Sequence, residues 1–210
     1  MTPVGLRPRR GHEADLRWSR RGESRARVRR TLVYQLQTER LRLVALAADT
    51  PELMIDRVET VKTYLDADWA PEWPGDFLLD ILRQRRPLSP SNEPFGVWAI
   101  IEKSTSTVIG DIGFKGPPDE NRCLEMGYRI VAQARGVGYA TEAARALIAF
   151  VRELDGVEWV TAECDPDNEA SLRVLSRVGF RETGRSLNAI SWSLRITHRD
   201  VTEGPDNSER

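Results

Sequence analysis

The segment Gly127-Tyr128-Arg129-Ile130-Val131-Ala132-Gln133-Ala134-Arg135-Gly136-Val137-Gly138-Tyr139-Ala140 limits the possible folds more than any other. It reads as a strand over Met126 to Val131 that runs through a glycine turn into an amphipathic helix. Arg135-Gly136-Val137-Gly138 lacks side chains where the backbone must turn tightly, so amide N–H groups at the start of the next helix are free to face an anion. Ala140, Ala143, Ala144, Leu147, Ile148, Val151 and Leu154 recur at three- and four-residue spacing. They form one apolar stripe for a sheet, while Glu142, Arg145, Arg152 and Glu153 stay in water.

A P-loop requires Gly-Lys-Ser/Thr at the helix entry, where this chain has Gly138-Tyr139-Ala140. A dinucleotide fingerprint requires a third small position, which Gly136-x-Gly138-x-x-Thr141 lacks, and its strand would come early rather than after several others. A turn that merely joins strand to helix stays open on this segment alone. Beyond it, Val157 to Cys164 alternates as a strand, and Asp165-Pro166-Asp167-Asn168 breaks it and caps a second helix. Leu172, Leu175 and Val178 give that helix its buried stripe, Gly179 ends it and Phe180 opens another strand. Short connections and a right-handed crossover make the first two of these strands parallel neighbours.

Arg135-x-x-Gly138-x-Ala140 matches the R/Q-x-x-G-x-G/A signature of the GNAT superfamily of acyl-CoA-dependent N-acetyltransferases. Asn168 to Phe180 matches its N-x-x-S-x-x-x-L-x-x-x-G-F helix, with Ser171, Leu175 and Gly179 in place. The chain resembles that superfamily from residue 33 to residue 198, and Gln37 to Leu43 and Ile109 to Pro118 resemble strands of its RimJ/RimL-like branch. Ala132 stands where many relatives carry proline, and Gln133-Ala134 replaces a more usual acidic and aromatic pair.

The resemblance implies acetyl transfer from acetyl-CoA to a primary amine by direct attack in a ternary complex. The strand before the glycine turn bulges away from its parallel neighbour in this family and the pantetheine arm lies in the gap. That places Ile130 and Ala132 against pantetheine, with a backbone N–H near Ile130 at the oxyanion, and the pyrophosphate on the amides of Arg135, Gly136, Val137, Gly138, Tyr139 and Ala140. Asn168 is a CoA contact on the same grounds. An ammonium with a pKa of about 10 cannot attack a carbonyl, and a departing thiolate benefits from a proton donor. Glu125 is the candidate base, acting through water, with a solvated or paired strand carboxylate as the plain alternative. Ser171 occupies the family position near the CoA sulfur, and local capping beside Asn168 is its plain alternative. Cys164 as an acyl carrier is a remote option, since nothing basic adjoins it in sequence.

The middle of the chain supplies scaffold. A helical stretch begins at Thr50-Pro51 and runs to about Tyr64, Trp69 to Gly75 breaks it, and Asp76 caps a helix with Phe77, Leu78, Ile81 and Leu82. Strands over Val97 to Ile101 and Thr107 to Ile112 form a hairpin, and Ile190, Trp192, Leu194 and Ile196 alternate in a last strand. The fold class is α/β: a GNAT-like mixed seven-stranded sheet in the order β-α-α-β-β-β-α-β-α-β-β, flanked by helices, over residues 31–200.

Residues 1–30 hold ten arginines against Glu13, Asp15 and Glu23, about +7, so a chain of net charge −1 carries about −8 in the remainder. Low hydrophobicity with high charge predicts disorder for residues 1–30, and residues 201–210 read as a flexible tail. A nucleic-acid-binding arm is one reading of the first segment, and a solvated extension or a start codon placed too early is the favoured one. An acyl-CoA sensor without turnover is the competing function. No apolar run of eighteen residues exists to cross a bilayer, no signal peptide fits, and Cys123 and Cys164 fall at opposite ends of parallel strands, so a cytoplasmic compartment without a disulfide is expected. With His12 and His198 as the two histidines, no metal is expected. The acidic catalytic portion suits a cationic acceptor, either a protein N-terminus or a small-molecule amine. The resemblance also allows a homodimer.

Overall fold

A computed structural model describes residues 34–46, 58–75, 78–79 and 93–197 of the 210-residue chain. The arginine-rich segment 1–30, the tail 201–210, the start of the first predicted helix and most of the second lie outside the described residues.

The elements follow in the order β1 (Gln35–Gln37), β2 (Leu41–Ala45), α1 (Val58–Leu65), β3 (Asp68–Trp69), β4 (Val97–Glu102), β5 (Thr107–Phe114), β6 (Cys123–Ile130), α2 (Tyr139–Val151), β7 (Trp159–Cys164), α3 (Glu169–Val178), β8 (Arg181–Arg185) and β9 (Ile190–Arg195). The sheet order is β1-β2-β4-β5-β6-β7-β9-β8, with β3 added in parallel beside β5. Nine strands are described, where the sequence predicts seven. The expected first strand is two, because Thr38 turns the chain within it: its hydroxyl accepts from the Leu41 N–H at 2.9 Å. The short β3 falls where the sequence reads as a break, since Asp68 and Trp69 after α1 find a free edge of β5 beside Thr107 and Val108.

Side-chain alternation gives the sheet two faces. Leu43, Ile100, Ile112, Tyr128 and Ile130 share one, which α2 covers: Phe150 of α2 packs edge-on against Trp98 at 5.4 Å. Arg42, Asp111, Gly113, Glu125, Gly127 and Arg129 share the other, where α1 and the segment 70–75 sit, so that the Arg42 guanidinium donates to the Leu65 carbonyl at 2.7 Å. Of the stripe read from the sequence, Ala143, Ala144, Leu147, Ile148 and Val151 are buried, and Ala140 and Leu154 are partly buried. Burying five such side chains is worth several kcal/mol at ~25 cal/mol per Å² of apolar surface, enough to fix the axis of α2 and with it the aim of its N-terminus.

Candidate active site

β6 and β7 are paired over three positions, Cys123 with Trp159, Leu124 with Val160 and Glu125 with Thr161. Beyond Glu125 they part, although β6 runs on to Ile130 and β7 to Cys164. Odd-numbered residues of β6 bond to β5: Lys115 N–H donates to the Glu125 carbonyl at 2.9 Å, and Val131 N–H to the Ile109 carbonyl at 2.9 Å. Antiparallel alternation therefore turns the main-chain groups of Tyr128 and Ile130 towards the gap, beyond the last residue pair with β7.

The chain leaves β6 through a single 3-10 turn, Ala132–Ala134, and enters α2 through two glycines in the left-handed region, Gly136 at φ 81° and Gly138 at φ 92°. Glycine takes these angles without a Cβ penalty. The first α2 bond is from Glu142 N–H to the Gly138 carbonyl, at 3.1 Å. Among the described residues, the amides of Gly136, Val137, Gly138, Tyr139, Ala140 and Thr141 thus have no main-chain acceptor. Arg135 differs from the sequence expectation. Its amide is spent on the Ala132 carbonyl at 3.2 Å, and its side chain folds back so that Nε donates to the Ile130 carbonyl at 2.8 Å.

Beside this turn lies a cleft of about 460 Å³. Of the predicted CoA-site residues it gathers Ile130, Arg135, Gly136, Gly138, Tyr139, Ala140 and Asn168, together with Ser171 of the proposed catalytic pair. Three predicted residues fall elsewhere. Val137 is exposed, its carbonyl accepting from Arg40 Nη1 at 3.0 Å, and the Ala132 N–H donates to Glu72 Oε2 at 3.1 Å. Glu125 stands on the α1 face, outside the cleft lining, in an ion pair with Lys115.

α3 closes the cleft. Asn168 caps it, Oδ1 accepting from the Ser171 N–H at 3.1 Å, and Gly179 at φ 106° ends it with its N–H on the Leu175 carbonyl. Both capping and cleft-lining are thus met by the same Asn168 and Ser171. Tyr128 reaches across the gap, its hydroxyl donating to the Ser171 carbonyl at 3.4 Å, and burial pushes its phenol up to about 12, so it is a neutral donor throughout the physiological range. Tyr128, Arg173 and Arg177 also line the cleft and were not singled out from the sequence. Alternation with Ile130 was the available signal for Tyr128, and a four-residue spacing on one helix face that for the two arginines.

Arg40 and Glu142 form a clamp that sequence reasoning also missed, since they lie 102 positions apart. Arg40 Nε and Nη2 each meet Glu142 Oε2 at 2.7 Å, the Arg40 N–H donates to Oε1 at 2.9 Å, and Thr38 Oγ1 donates to it at 2.5 Å. Burial acts to raise the Glu142 carboxyl, but these hydrogen bonds outweigh it and hold the group below its usual range. The same guanidinium stacks on the Tyr139 ring, 4.6 Å from its centroid, so β1, β2 and the turn are tied at one point. Burial pushes the Cys164 thiol up, which disfavours the thiolate an acyl-carrying nucleophile needs.

A cleft with turn amides free of main-chain acceptors at one end and strand groups without a strand partner along its floor suits a long ligand with an anionic head. The family model described as an acetyltransferase (GNAT) domain matches residues 40–181. The chain belongs to the GNAT acetyltransferase family. This GNAT chain is an acyltransferase, and it is 31% identical over 160 residues to the uncharacterized N-acetyltransferase YjdG of Bacillus subtilis, covering 75% of this chain and 95% of that protein. Among solved structures, a putative ribosomal-protein-serine acetyltransferase from Vibrio cholerae shares the fold at 22% identity and TM-score 0.52, over 77% of this chain and 97% of its own. The microcin C7 self-immunity acetyltransferase MccE, solved in complex with acetyl-CoA and AMP, shares it at 19% identity and TM-score 0.53, over 76% and 94%. Among the described residues no group of three His, Cys, Asp or Glu is placed to hold a metal ion, and no helix is long and apolar enough to cross a membrane.

Proposed function

We propose that this GNAT enzyme transfers the acetyl group of acetyl-CoA to a primary amine. The observation that carries the reading is the coincidence, in one cleft, of a two-glycine helix entry with free amides and a strand whose gap-facing groups pair with no neighbouring strand beyond Glu125. The amides of Gly136, Val137, Gly138, Tyr139 and Ala140 suit a diphosphate, because N–H dipoles at a helix start favour negative charge without a side chain. Tyr128 and Ile130 offer main-chain groups to an amide-bearing arm, as a strand partner would.

In the transfer, the amine nitrogen bonds to the thioester carbonyl carbon as the carbon–sulfur bond breaks; the products are an N-substituted acetamide and the CoA thiol. The amine gives up a proton and the sulfur gains one. Glu125 takes the first through water, on the face where Gly127 leaves open space, and Ser171 gives the second from the cleft side. The acceptor is a protein N-terminus or a small-molecule amine, and attack is direct, in a ternary complex.

The test is thiol release from acetyl-CoA in the presence of a panel of amines and N-terminal peptides, with calorimetry of CoA binding alongside. Micromolar binding and amine-dependent thiol release are expected. No heat of binding at millimolar CoA would end the proposal.

A further inference from the structure

On the face of the sheet opposite α2, Asp111 of β5 stands directly across from Arg129 of β6. Side chains of opposite charge at such a pair ordinarily close on one another. Here they do not. Asp111 Oδ2 instead accepts from the indole N–H of the buried Trp73 at 3.1 Å, and among the described residues its other oxygen has no hydrogen-bond donor. The Arg129 guanidinium, half-buried, donates no hydrogen bond among the described residues. The guanidinium lies against Gly75, where an added Cβ would fall 1.9 Å from Arg129 Nη1, so a larger residue there would shift it. A third polar group on this face is also unspent, since the buried Nε1 of Trp69, whose ring meets that of Trp73 edge-on at 5.0 Å, has no partner among the described residues.

Half-buried charges left open cost free energy unless something pairs with them, and proteins retain that cost where a ligand is to arrive. The position fits such a role. Arg129 adjoins Ile130, lines the CoA cleft and projects to the other face of the sheet, and Gly127, two residues before it, has nothing of the described residues within 4 Å of where a Cβ would be. A ligand above Gly127 therefore lies beside the stretch of β6 that has left β7 and one same-face step along the sheet from both charges.

We propose that Arg129 and Asp111 form the acceptor subsite, and that the acceptor is an amine carrying a carboxylate close by, as a free α-amino acid does. This deepens the acetyl-transfer reading and rests on it. The planar guanidinium takes the carboxylate in a two-point contact. The open oxygen of Asp111 accepts from the amine, and Trp73 holds that carboxylate in place through its other oxygen. The separated charges match a zwitterion, whereas a peptide N-terminus or an amino-acid amide brings only the amine and leaves the guanidinium unmatched.

The deciding experiment compares the free L-amino acids with their amides at saturating acetyl-CoA. Amides carry the less basic amine and are the better nucleophiles at neutral pH, so a preference for the acids is not a trivial outcome. At least tenfold higher kcat/KM is expected for the best acids over their amides. Arg129→Gln should cut that ratio by about ten- to a hundredfold, the equivalent of one charge-assisted hydrogen bond, through acceptor KM, and Arg129→Lys should keep part of it. Asp111→Asn should lower turnover of acid and amide alike and leave their ratio standing. Amides or N-terminal peptides used as well as the acids, or a ratio that survives Arg129→Gln, overturns the subsite. Should the Gln variant not fold, the wild-type panel and Arg129→Lys still decide. CoA calorimetry separates the failures: CoA bound but no acid preferred sinks the subsite alone, and CoA not bound sinks the acetyl-transfer reading beneath it.

Discussion

Gly138 carries two demands at once, a left-handed φ of 92° and a position against Arg40, whose Nη2 would lie 3.5 Å from an added Cβ. Gly138→Glu brings backbone strain of order 1–3 kcal/mol and a negative charge into the proposed diphosphate position. CoA affinity by calorimetry should fall by more than tenfold, and unaltered affinity would mean that the pocket lies elsewhere. Asp111 answers to pH instead. Burial raises its carboxyl to about 6 from an ordinary 3.8, with the Trp73 hydrogen bond and the Arg129 charge opposing. A raised carboxyl favours the fold in acid, so its contribution is greatest below about pH 4 and is lost as pH rises through 6. Asp111→Asn removes the cost of the buried anion, about 1–3 kcal/mol. The variant's Tm should exceed that of the parent at pH 8 and match it at pH 4, and a Tm difference independent of pH would show that the carboxyl does not titrate there.

The helices show what a local pattern can and cannot deliver. The α2 stripe, the Asn168 cap and the Gly179 stop were all legible, because each is a few residues of one element obeying a spacing or capping rule. The Arg40–Glu142 clamp was not, since no local rule couples a turn between β1 and β2 to the first turn of α2. It makes a prediction of its own. Arg40→Met removes the tie to the Val137 carbonyl and the Glu142 carboxylate, so the turn's amides are less well aimed; CoA affinity should drop about three- to tenfold, with a stability loss near 1 kcal/mol for a partly exposed pair. Loss of stability with CoA affinity intact would assign the clamp to folding alone. Glu125 marks another limit. Its place on the strand was read correctly, but its pairing with Lys115 depends on strand register, which the sequence does not print.

Across the whole sheet, the block β1 to β6, antiparallel apart from β3, and the smaller block β7 to β9 share three residue pairs, with α2 and α3 packed beside the join. Alternating apolar residues announced the strands, yet their parting beyond Glu125 had no sequence signal of its own and was expected only from the family resemblance. Hydrogen exchange reads it directly. The amides of Tyr128 and Ile130 should exchange quickly in the free enzyme and become protected when CoA is added, whereas those of Arg129 and Val131, bonded to β5, should be slow in both states. Saturating CoA at a hundred times Kd adds about 2.7 kcal/mol to stability, a rise of several degrees in Tm. The short join also makes cofactor affinity and overall rigidity a shared property. A substitution at Leu124 or Val160, both fully buried and remote from the glycine turn, loosens the hinge on which the two blocks meet, and the grip on the donor should weaken with it.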